Sequence, residues 1–183
     1  MEQHKIEFLV NAPDEWEDRI AYEQFLGEVK TAIVLNAWID EMSEDMLIER
    51  FRVQPGDLYR VIENAKWLLY GTHELSALFG NKQVLPLTLE LRERVEKGIK
   101  KELLPITRLE GVGRARGRIL YNAGYKTIEE IKTAAMEDLM NLPLIGPKLA
   151  KRIKEQVGGF VRKEVWEKLE KEEEWKQKAL TEY

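Results

Sequence analysis

The sequence predicts an all-α protein, and two observations support that prediction. Apolar residues recur at helical spacing through much of the first hundred residues, and no segment shows the sustained alternation that is typical of strands. Further along, residues 109–120 align with residues 142–153 at an offset of 33 residues, which is an internal repeat. We therefore expect a helical bundle, then two related helical hairpins, then a helical tail.

The composition limits the chemistry available to this chain of 183 residues. Apolar residues make up 44% of it, enough for a packed core, and no apolar run reaches the length of a membrane span. There is no Cys, which excludes thiol nucleophiles and zinc-thiolate sites. His4 and His73 are the only histidines and lie far apart, so we expect no metal site. Because no apolar run is long enough to span a bilayer, we also expect no membrane partner.

Charge is distributed unevenly along the chain. Residues 1–80 carry 7 basic and 16 acidic side chains, a net charge of −9, whereas residues 81–163 carry 18 basic and 10 acidic side chains, a net charge of +8. Residues 164–183 are acidic again, with a net charge of −3. A basic block between acidic flanks indicates a local binding site for a polyanion.

Capping residues and chain breakers divide the first region. Residues 1–20, which contain Pro13, show no clear period and predict an extended lead-in. Ser43 is placed to cap one helix, and Pro55 with Gly56 breaks the chain before the next. The expected helices cover residues 22–40, 44–51, 57–79 and 87–101. They would form a bundle over residues 21–102.

The repeat has the pattern of a helix-hairpin-helix motif, present twice over residues 103–160. The first copy contains the tight turn Gly111-Val112-Gly113, and Thr127-x-x-Glu130 is a capping box that opens a connecting helix. In the second copy, Leu144 stands in place of the first glycine, before Ile145 and Gly146. Residues 161–183 predict an acidic helical tail.

A turn of this kind exposes backbone N–H groups at the start of the following helix, where the helix dipole also favours an anion. Three guanidiniums beside the first turn are best explained by an anionic partner, because they oppose the dipole and repel one another. Without the first glycine, the second turn is expected to approach a phosphate less closely. The predicted DNA-backbone contacts are Gly111, Val112, Gly113, Arg114, Arg116, Arg118, Gly146, Lys148 and Lys151. Two alternatives stay open, in which the hairpins serve protein contacts or the second copy is mainly structural.

The helix over residues 57–79 carries a second candidate site. Arg60 and Trp67 lie seven residues apart and nearly opposite an apolar stripe. That stripe comprises Leu58, Val61, Ile62, Ala65, Leu68, Leu69, Thr72, Ser76 and Phe79. A Trp in line with an Arg on the polar face fits a platform where a base stacks on the indole and the Arg holds a phosphate. The alternative is a helix buried on both sides, with Trp67 packed on a neighbour.

Several long segments resemble a known family. Residues 27–41, Gln54-Pro-Gly-Asp-Leu-Tyr-Arg60, residues 64–70 and residues 111–124 resemble the archaeal Holliday-junction-migration helicases, superfamily-2 relatives of the polymerase-theta helicase. The likeness covers roughly residues 15–160. It implies a 3′-to-5′ DNA helicase acting at stalled forks, of which this chain would hold the last part of the helical ratchet domain and the terminal helix-hairpin-helix domain.

The resemblance also implies roles for particular residues. In that family an Arg and a Trp seven apart on the ratchet helix contact translocating single-stranded DNA, a role that passes to Arg60 and Trp67. The family's Arg-Ala-Arg falls on Arg116-Gly117-Arg118, where the glycine is expected to loosen the helix. Single-stranded or forked DNA is therefore the expected partner, in the cytoplasm and at the nucleoid.

The motor that such a helicase needs is absent from the sequence. There is no Gly-x-x-x-x-Gly-Lys-[Ser/Thr] loop and no Asp-Glu-x-His sequence. We expect no catalytic residue and no cofactor in this fragment, with ATP and Mg²⁺ bound elsewhere in the parent protein. Because Met1 directly precedes sequence of interior character, we expect an engineered truncation.

Two other functions are weighed against DNA binding. A helix-hairpin-helix DNA glycosylase would need a catalytic Asp or Lys after its hairpin in a larger helical domain, and no such arrangement is evident. A module that docks repair partners would agree with Gln177, Leu180 and Tyr183, whose spacing resembles the peptide that binds a sliding clamp. That peptide usually has two aromatic residues, and this sequence offers only Tyr183.

Overall fold

The computed structural model describes residues 11–158. In this part of the chain there are eight α-helices and no strand, which confirms the predicted all-α class. The helices are α1 (Arg19–Ile39), α2 (Glu44–Phe51), α3 (Pro55–Leu78), α4 (Leu85–Lys97), α5 (Arg114–Asn122), α6 (Ile128–Thr133), α7 (Met136–Met140) and α8 (Pro147–Gln156). None of them combines the length and the hydropathy needed to cross a membrane. The helical tail predicted over residues 161–183 lies outside the described residues.

Backbone contacts divide the chain into two compact units, Met1–Gly98 and Ile99–Tyr183. Each unit has a buried apolar cluster of its own. In the first unit the cluster consists of Val34, Trp38, Ile39, Leu47, Leu58, Ile62 and Val95. In the second unit it includes Ile99, Leu103, Ile106, Val112, Leu120, Ile131, Leu139, Ile145, Ala150 and Ile153.

Polar caps begin the first two helices. The Asp18 carboxylate accepts a hydrogen bond from the backbone N–H of Ala21 at 2.9 Å, so α1 begins at Arg19, inside the stretch that was predicted to be extended. Ser43 caps α2 as predicted, because its hydroxyl accepts from the backbone N–H of Met46 at 3.3 Å. Aspartate and serine favour these positions since each supplies an acceptor for an N–H without an intrahelical partner.

A buried tryptophan determines where α4 ends. The Trp38 indole nitrogen donates to the carbonyl of Val95 at 2.8 Å, and its ring lies where a β-carbon on Gly98 would have to be. Gly98 adopts φ +62°, in the left-handed region. Only glycine meets both conditions, so the helix predicted to reach residue 101 stops at Lys97.

The buried side of α3 is shorter than the predicted stripe. Leu58 and Ile62 are buried. Leu68, Thr72 and Phe79 are exposed, so the stripe prediction is wrong for these three residues. Leu68 instead lines an open apolar groove together with residues of α1 and α4. The helical period identifies which face is apolar, whereas the extent of burial depends on how far the neighbouring helices reach.

The capping box of the second unit is confirmed. Thr127 accepts from the backbone N–H of Glu130 at 3.2 Å, and the Glu130 carboxylate accepts from the backbone N–H groups of Lys126 at 2.6 Å and Thr127 at 2.9 Å. These backbone hydrogen bonds, first that of Lys126 and then that of Thr127, lower the pKa of the Glu130 carboxyl. They fix the start of α6.

The other end of α6 is held by a buried lysine. Lys154 is fully buried, and its ammonium donates to the carbonyls of Ile131 at 3.0 Å and Lys132 at 2.8 Å, and also to that of Ala134. The last carbonyls of a helix have no intrahelical donor, and the helix dipole favours a cation beside them. Burial lowers the pKa of this ammonium. The lysine thereby fastens α8 to the end of α6.

Replacing this lysine should destabilise the second unit strongly. Lys154→Met keeps the aliphatic stem but leaves buried carbonyls without a donor, so we expect the free energy of unfolding to fall by about 3 kcal/mol. Native-state hydrogen exchange of the Ile153 amide, which lies in the core of this unit, measures the change. The exposed Lys132→Met is the control and should cost less than about 0.5 kcal/mol. Equal losses in both variants would contradict this account of Lys154.

Candidate nucleic-acid interface

Arg60 and Trp67 both lie on the outward face of α3. Trp67 is 72% exposed although it is a large apolar residue. Arg60 is exposed as well, and its guanidinium donates to the carboxylate of Asp57 at 2.9 Å. An exposed ion pair one turn apart is weak, so it restrains the guanidinium without removing it from reach of a ligand.

The exposure predicted for Trp67 is confirmed. In the described part of the chain its indole is largely uncovered, so this helix is not buried on both sides here. Trp38 is the contrasting case, because it is buried and hydrogen-bonded within the first unit. Leu58 and Ile62, which form the buried face of α3, lie on the other side of the helix from Trp67.

The first hairpin turn positions the start of α5. Gly111 has φ +81°, which favours glycine, and a β-carbon added there would lie 2.7 Å from a methyl group of Leu149, which would have to shift. Gly113 is the N-cap of α5, and no side chain caps the helix. Val112 does not offer the contact expected of it, because its side chain is buried and its N–H donates to the carbonyl of Leu109 at 3.0 Å.

The second turn has the same conformation despite its different sequence. Leu144 adopts φ +61° where the first copy has Gly111, and its side chain is 62% exposed. Ile145 is buried like Val112, and Gly146 is the N-cap of α8, again without a side-chain cap. The substitution of leucine for glycine has therefore not abolished the turn.

Arg116 and Arg118, which follow the first turn, have acceptors inside the protein. The Arg116 guanidinium donates to the carbonyl of Leu144 at 2.9 Å and to that of Gly111 at 3.0 Å. Arg118 pairs with Glu102 at 2.9 Å and lies over the Tyr121 ring. Both guanidiniums therefore have acceptors within the second unit, and for Arg118 the acceptor is a carboxylate. Contact of either residue with an external anion stays a prediction.

The remaining predicted contacts differ in exposure. Lys148 is exposed beside the second turn, whereas Arg114 and Lys151 are half-buried. Gln177, Leu180 and Tyr183, the suggested clamp contacts, lie outside the described residues. The part played by all these side chains in binding stays a prediction.

Gly117 does not loosen α5 in the way its residue type suggested. It is buried inside the helix, and its N–H donates to the carbonyl of Gly113 at 2.8 Å. A β-carbon at this position would come within 2.9 Å of the Thr107 methyl group. The glycine allows α5 to pack closely on the residues that precede it, so its helix-propensity cost is offset by contact.

Sequence reasoning missed the residues that join the two hairpins. The side-chain amide of Gln156 accepts from the backbone N–H of Glu110 at 2.7 Å and donates to its carbonyl at 3.2 Å. Leu149 of the second copy packs on Gly111 of the first. The ion pair between Glu102 and Arg118, which lies before the second copy, was missed as well. No short-range sequence pattern indicates these contacts. The 33-residue offset does make Leu149 the equivalent of Arg116, so the repeat alone could have indicated Leu149.

Comparison with known proteins agrees with the division into two units. The family described as archaeal helicase, domain 4, matches residues 1–98, which is more than half of the chain. The chain belongs to this archaeal helicase domain 4 family. Residues 102–158 match a second family, the SAM-like helix-hairpin-helix tandem, which confirms the predicted double motif.

Relatives of this domain 4 protein are archaeal DNA helicases. It is 41% identical over 160 residues to the ATP-dependent DNA helicase Hel308 of Methanocella arvoryzae, which covers 86% of this chain and 21% of the relative. It is 42% identical over 149 residues to Hel308 of Pyrococcus horikoshii, and this alignment covers 81% of this chain and 20% of the relative. It is 43% identical over 134 residues to Hel308 of Aeropyrum pernix, an alignment that covers 73% of this chain and 18% of the relative. The chain spans about a fifth of the length of these relatives, and the predicted resemblance to an archaeal helicase is confirmed.

Removing the exposed indole of α3 should weaken single-stranded DNA binding without unfolding this helicase domain. For Trp67→Ala we expect a loss of about tenfold or more in affinity, since stacking of a base on an aromatic ring is worth about 1–3 kcal/mol. Single-stranded DNA should also quench the fluorescence of the wild-type protein more than that of the variant. Fluorescence anisotropy with labelled oligonucleotide measures the affinity, and circular dichroism checks the fold.

Trp16 provides a matched control, because it is 93% exposed and lies before α1. Trp16→Ala should leave the affinity unchanged. A role for Trp67 would be refuted by equal affinity in wild type and Trp67→Ala with both folded, or by equal losses in the two variants.

Proposed function

We propose that this chain is the DNA-gripping C-terminal region of an archaeal ATP-dependent DNA helicase of the Hel308 type. In this proposal α3 holds single-stranded DNA, and the two hairpins hold phosphates of the DNA backbone without reading its sequence. The membership of residues 1–98 in the helicase domain 4 family gives the proposal its context. The relatives that carry the Hel308 name are described as ATP-dependent DNA helicases.

The exposed indole of Trp67 is the observation that carries the proposal. Exposure alone does not distinguish Trp67 from Trp16, which is also exposed. Trp67 differs because it lies in line with an arginine on the outward face of a long helix, an arrangement suited to a ligand that covers both side chains. Arg60 lies two helical turns away in the same direction, at a distance suited to the phosphate of a strand whose base stacks on the ring. Both residues can move with α3 as one rigid element.

The hairpins support binding through backbone groups. The starts of α5 and α8 lack side-chain caps, and each follows a turn with a positive φ angle. Uncapped helix starts attract phosphate oxygens because their N–H groups point along the axis and the dipole is positive there. Contacts of this kind position a DNA backbone and carry no base specificity.

Hydrolysis of ATP, with its Mg²⁺, would belong to other parts of the parent protein. The chain's own sequence has no phosphate-binding loop of the helicase type. The 3′-to-5′ polarity and the action at stalled forks that the family resemblance implies would then arise when the motor pulls DNA across Arg60 and Trp67.

Binding by this chain should depend steeply on salt and should not require ATP. Between about 50 and 200 mM salt we expect affinity for single-stranded DNA to fall about 10- to 100-fold, as a site that neutralises a few phosphates loses its counterion-release drive. Oligonucleotides of different sequence should bind alike. The chain alone should hydrolyse no ATP.

Anisotropy titrations at several salt concentrations, with single-stranded, duplex and forked DNA, test these expectations. Affinity that stays flat across the salt range would contradict binding led by phosphates. Strong discrimination between two sequences of equal length would contradict recognition of the backbone.

A further inference from the structure

One arginine connects the two hairpin turns. The Arg116 Nε atom lies 2.9 Å from the carbonyl oxygen of Leu144, and its Nη1 atom lies 3.0 Å from that of Gly111. The two carbonyls belong to equivalent positions of the repeat, 33 residues apart. A single planar guanidinium therefore joins the same atom of both turns.

The second copy returns a contact to the first. Leu149 occupies the position equivalent to Arg116, and one of its methyl groups lies 2.7 Å from the position that a β-carbon on Gly111 would take. Each copy thus extends one residue onto the turn of the other copy, a polar side chain in one direction and an apolar one in the other. This exchange favours glycine in the first turn, since Leu149 would have to shift to admit a side chain at Gly111.

The Arg116 contact also explains how the second turn tolerates leucine. A non-glycine residue with positive φ is held in an unfavourable conformation, and it persists only where its surroundings fix it. The guanidinium binds the carbonyl of Leu144, while the leucine side chain extends into solvent. A charged donor on the carbonyl stabilises the peptide orientation that the left-handed conformation produces.

We infer that Arg116 is a positioning residue, whose guanidinium fixes the spacing between the two hairpin turns and hence between the starts of α5 and α8. The inference rests on the proposed function, in which these two helix starts face phosphates of one DNA molecule. It differs from the role expected from sequence, in which Arg116 itself contacts a phosphate. Two neutral backbone sites can engage two phosphates together only if their separation is held constant.

Lysine distinguishes the two roles. Arg116→Lys retains the positive charge, so a direct phosphate contact would survive largely intact. A lysine ends in a single nitrogen, so it cannot place donors at both the Nε and the Nη1 positions from which Arg116 reaches the two carbonyls. A positioning role therefore predicts that Arg116→Lys and Arg116→Ala are similarly impaired, each by about tenfold in DNA affinity. The salt dependence of Arg116→Lys should equal that of the wild type, because the number of charges is unchanged.

A structural measurement accompanies the titrations. Loss of the two Arg116 hydrogen bonds should speed hydrogen exchange of the Ile145 amide, which donates to the carbonyl of Leu142 inside the second turn. The Ala150 amide, within α8, should change less. This pair of amides separates loosening of the turn from unfolding of the whole unit.

Two control variants isolate the effect. Thr127→Ala removes the capping box of α6, away from both turns. It therefore lowers the stability of the same unit and leaves the Arg116 hydrogen bonds in place. Its DNA affinity should stay at the wild-type value at a temperature where all variants are folded. Arg152→Lys makes the same chemical exchange at an exposed residue whose partner is Glu110, 3.5 Å away, and should also bind normally.

Each outcome of the experiment has a defined meaning. If Arg116→Lys binds like the wild type while Arg116→Ala is weak and loses about one phosphate's worth of salt slope, Arg116 contacts DNA directly and the inference is overturned. The inference also fails if both variants bind normally, or if Thr127→Ala is equally impaired. If the wild-type chain itself shows no salt-dependent binding, the proposed function fails, and the positioning role in DNA binding falls with it.

Discussion

A buried ammonium group holds the hairpin tandem together. Lys154 reaches from α8 to the carbonyl end of α6, where a short helix leaves acceptors that water cannot reach. Desolvating a cation is costly, and here the cost is offset because several carbonyls and the negative end of the helix dipole surround the charge. With α8 anchored in this way, the turn before it lies at a fixed place, and Arg116 can reach Leu144. The geometry of the proposed interface thus depends on a residue that no ligand could touch.

Some of the basic side chains of the second unit have hydrogen-bond acceptors within the protein. The second unit is rich in basic residues, but Arg116, Arg118 and Lys154 are all bound to acceptors inside the unit. A count of charges therefore does not show how many of these cations already have acceptors within the protein. These three cations stabilise the fold of the second unit, because each holds two segments of the chain together. In the proposed function, phosphates would then meet mainly the starts of α5 and α8, whose first turns lack a capping side chain at the N-cap.

Local patterns predicted the helices, the Ser43 cap, the capping box and the outward position of Trp67, because each depends on residues within a few positions of one another. The features that were missed join distant segments. Trp38 meets Gly98 across sixty positions and ends α4 early, which no helical period can reveal. The hydrogen bonds of Arg116 and Lys154 likewise depend on how the hairpins pack, so the sequence showed their charges without showing their acceptors.

The exchange of contacts between the hairpins has a consequence for how such a domain can change. Repeats that merely stack can be duplicated, deleted or swapped, because each contributes nearly independent stability. Here Gly111 is shaped by Leu149, and Leu144 is held by Arg116, so each copy is incomplete without the other. A chain built from two first copies would have glycine in both turns and no leucine to pack on either. The tandem therefore behaves as one module, in which each half supplies a side chain that the turn of the other half contacts.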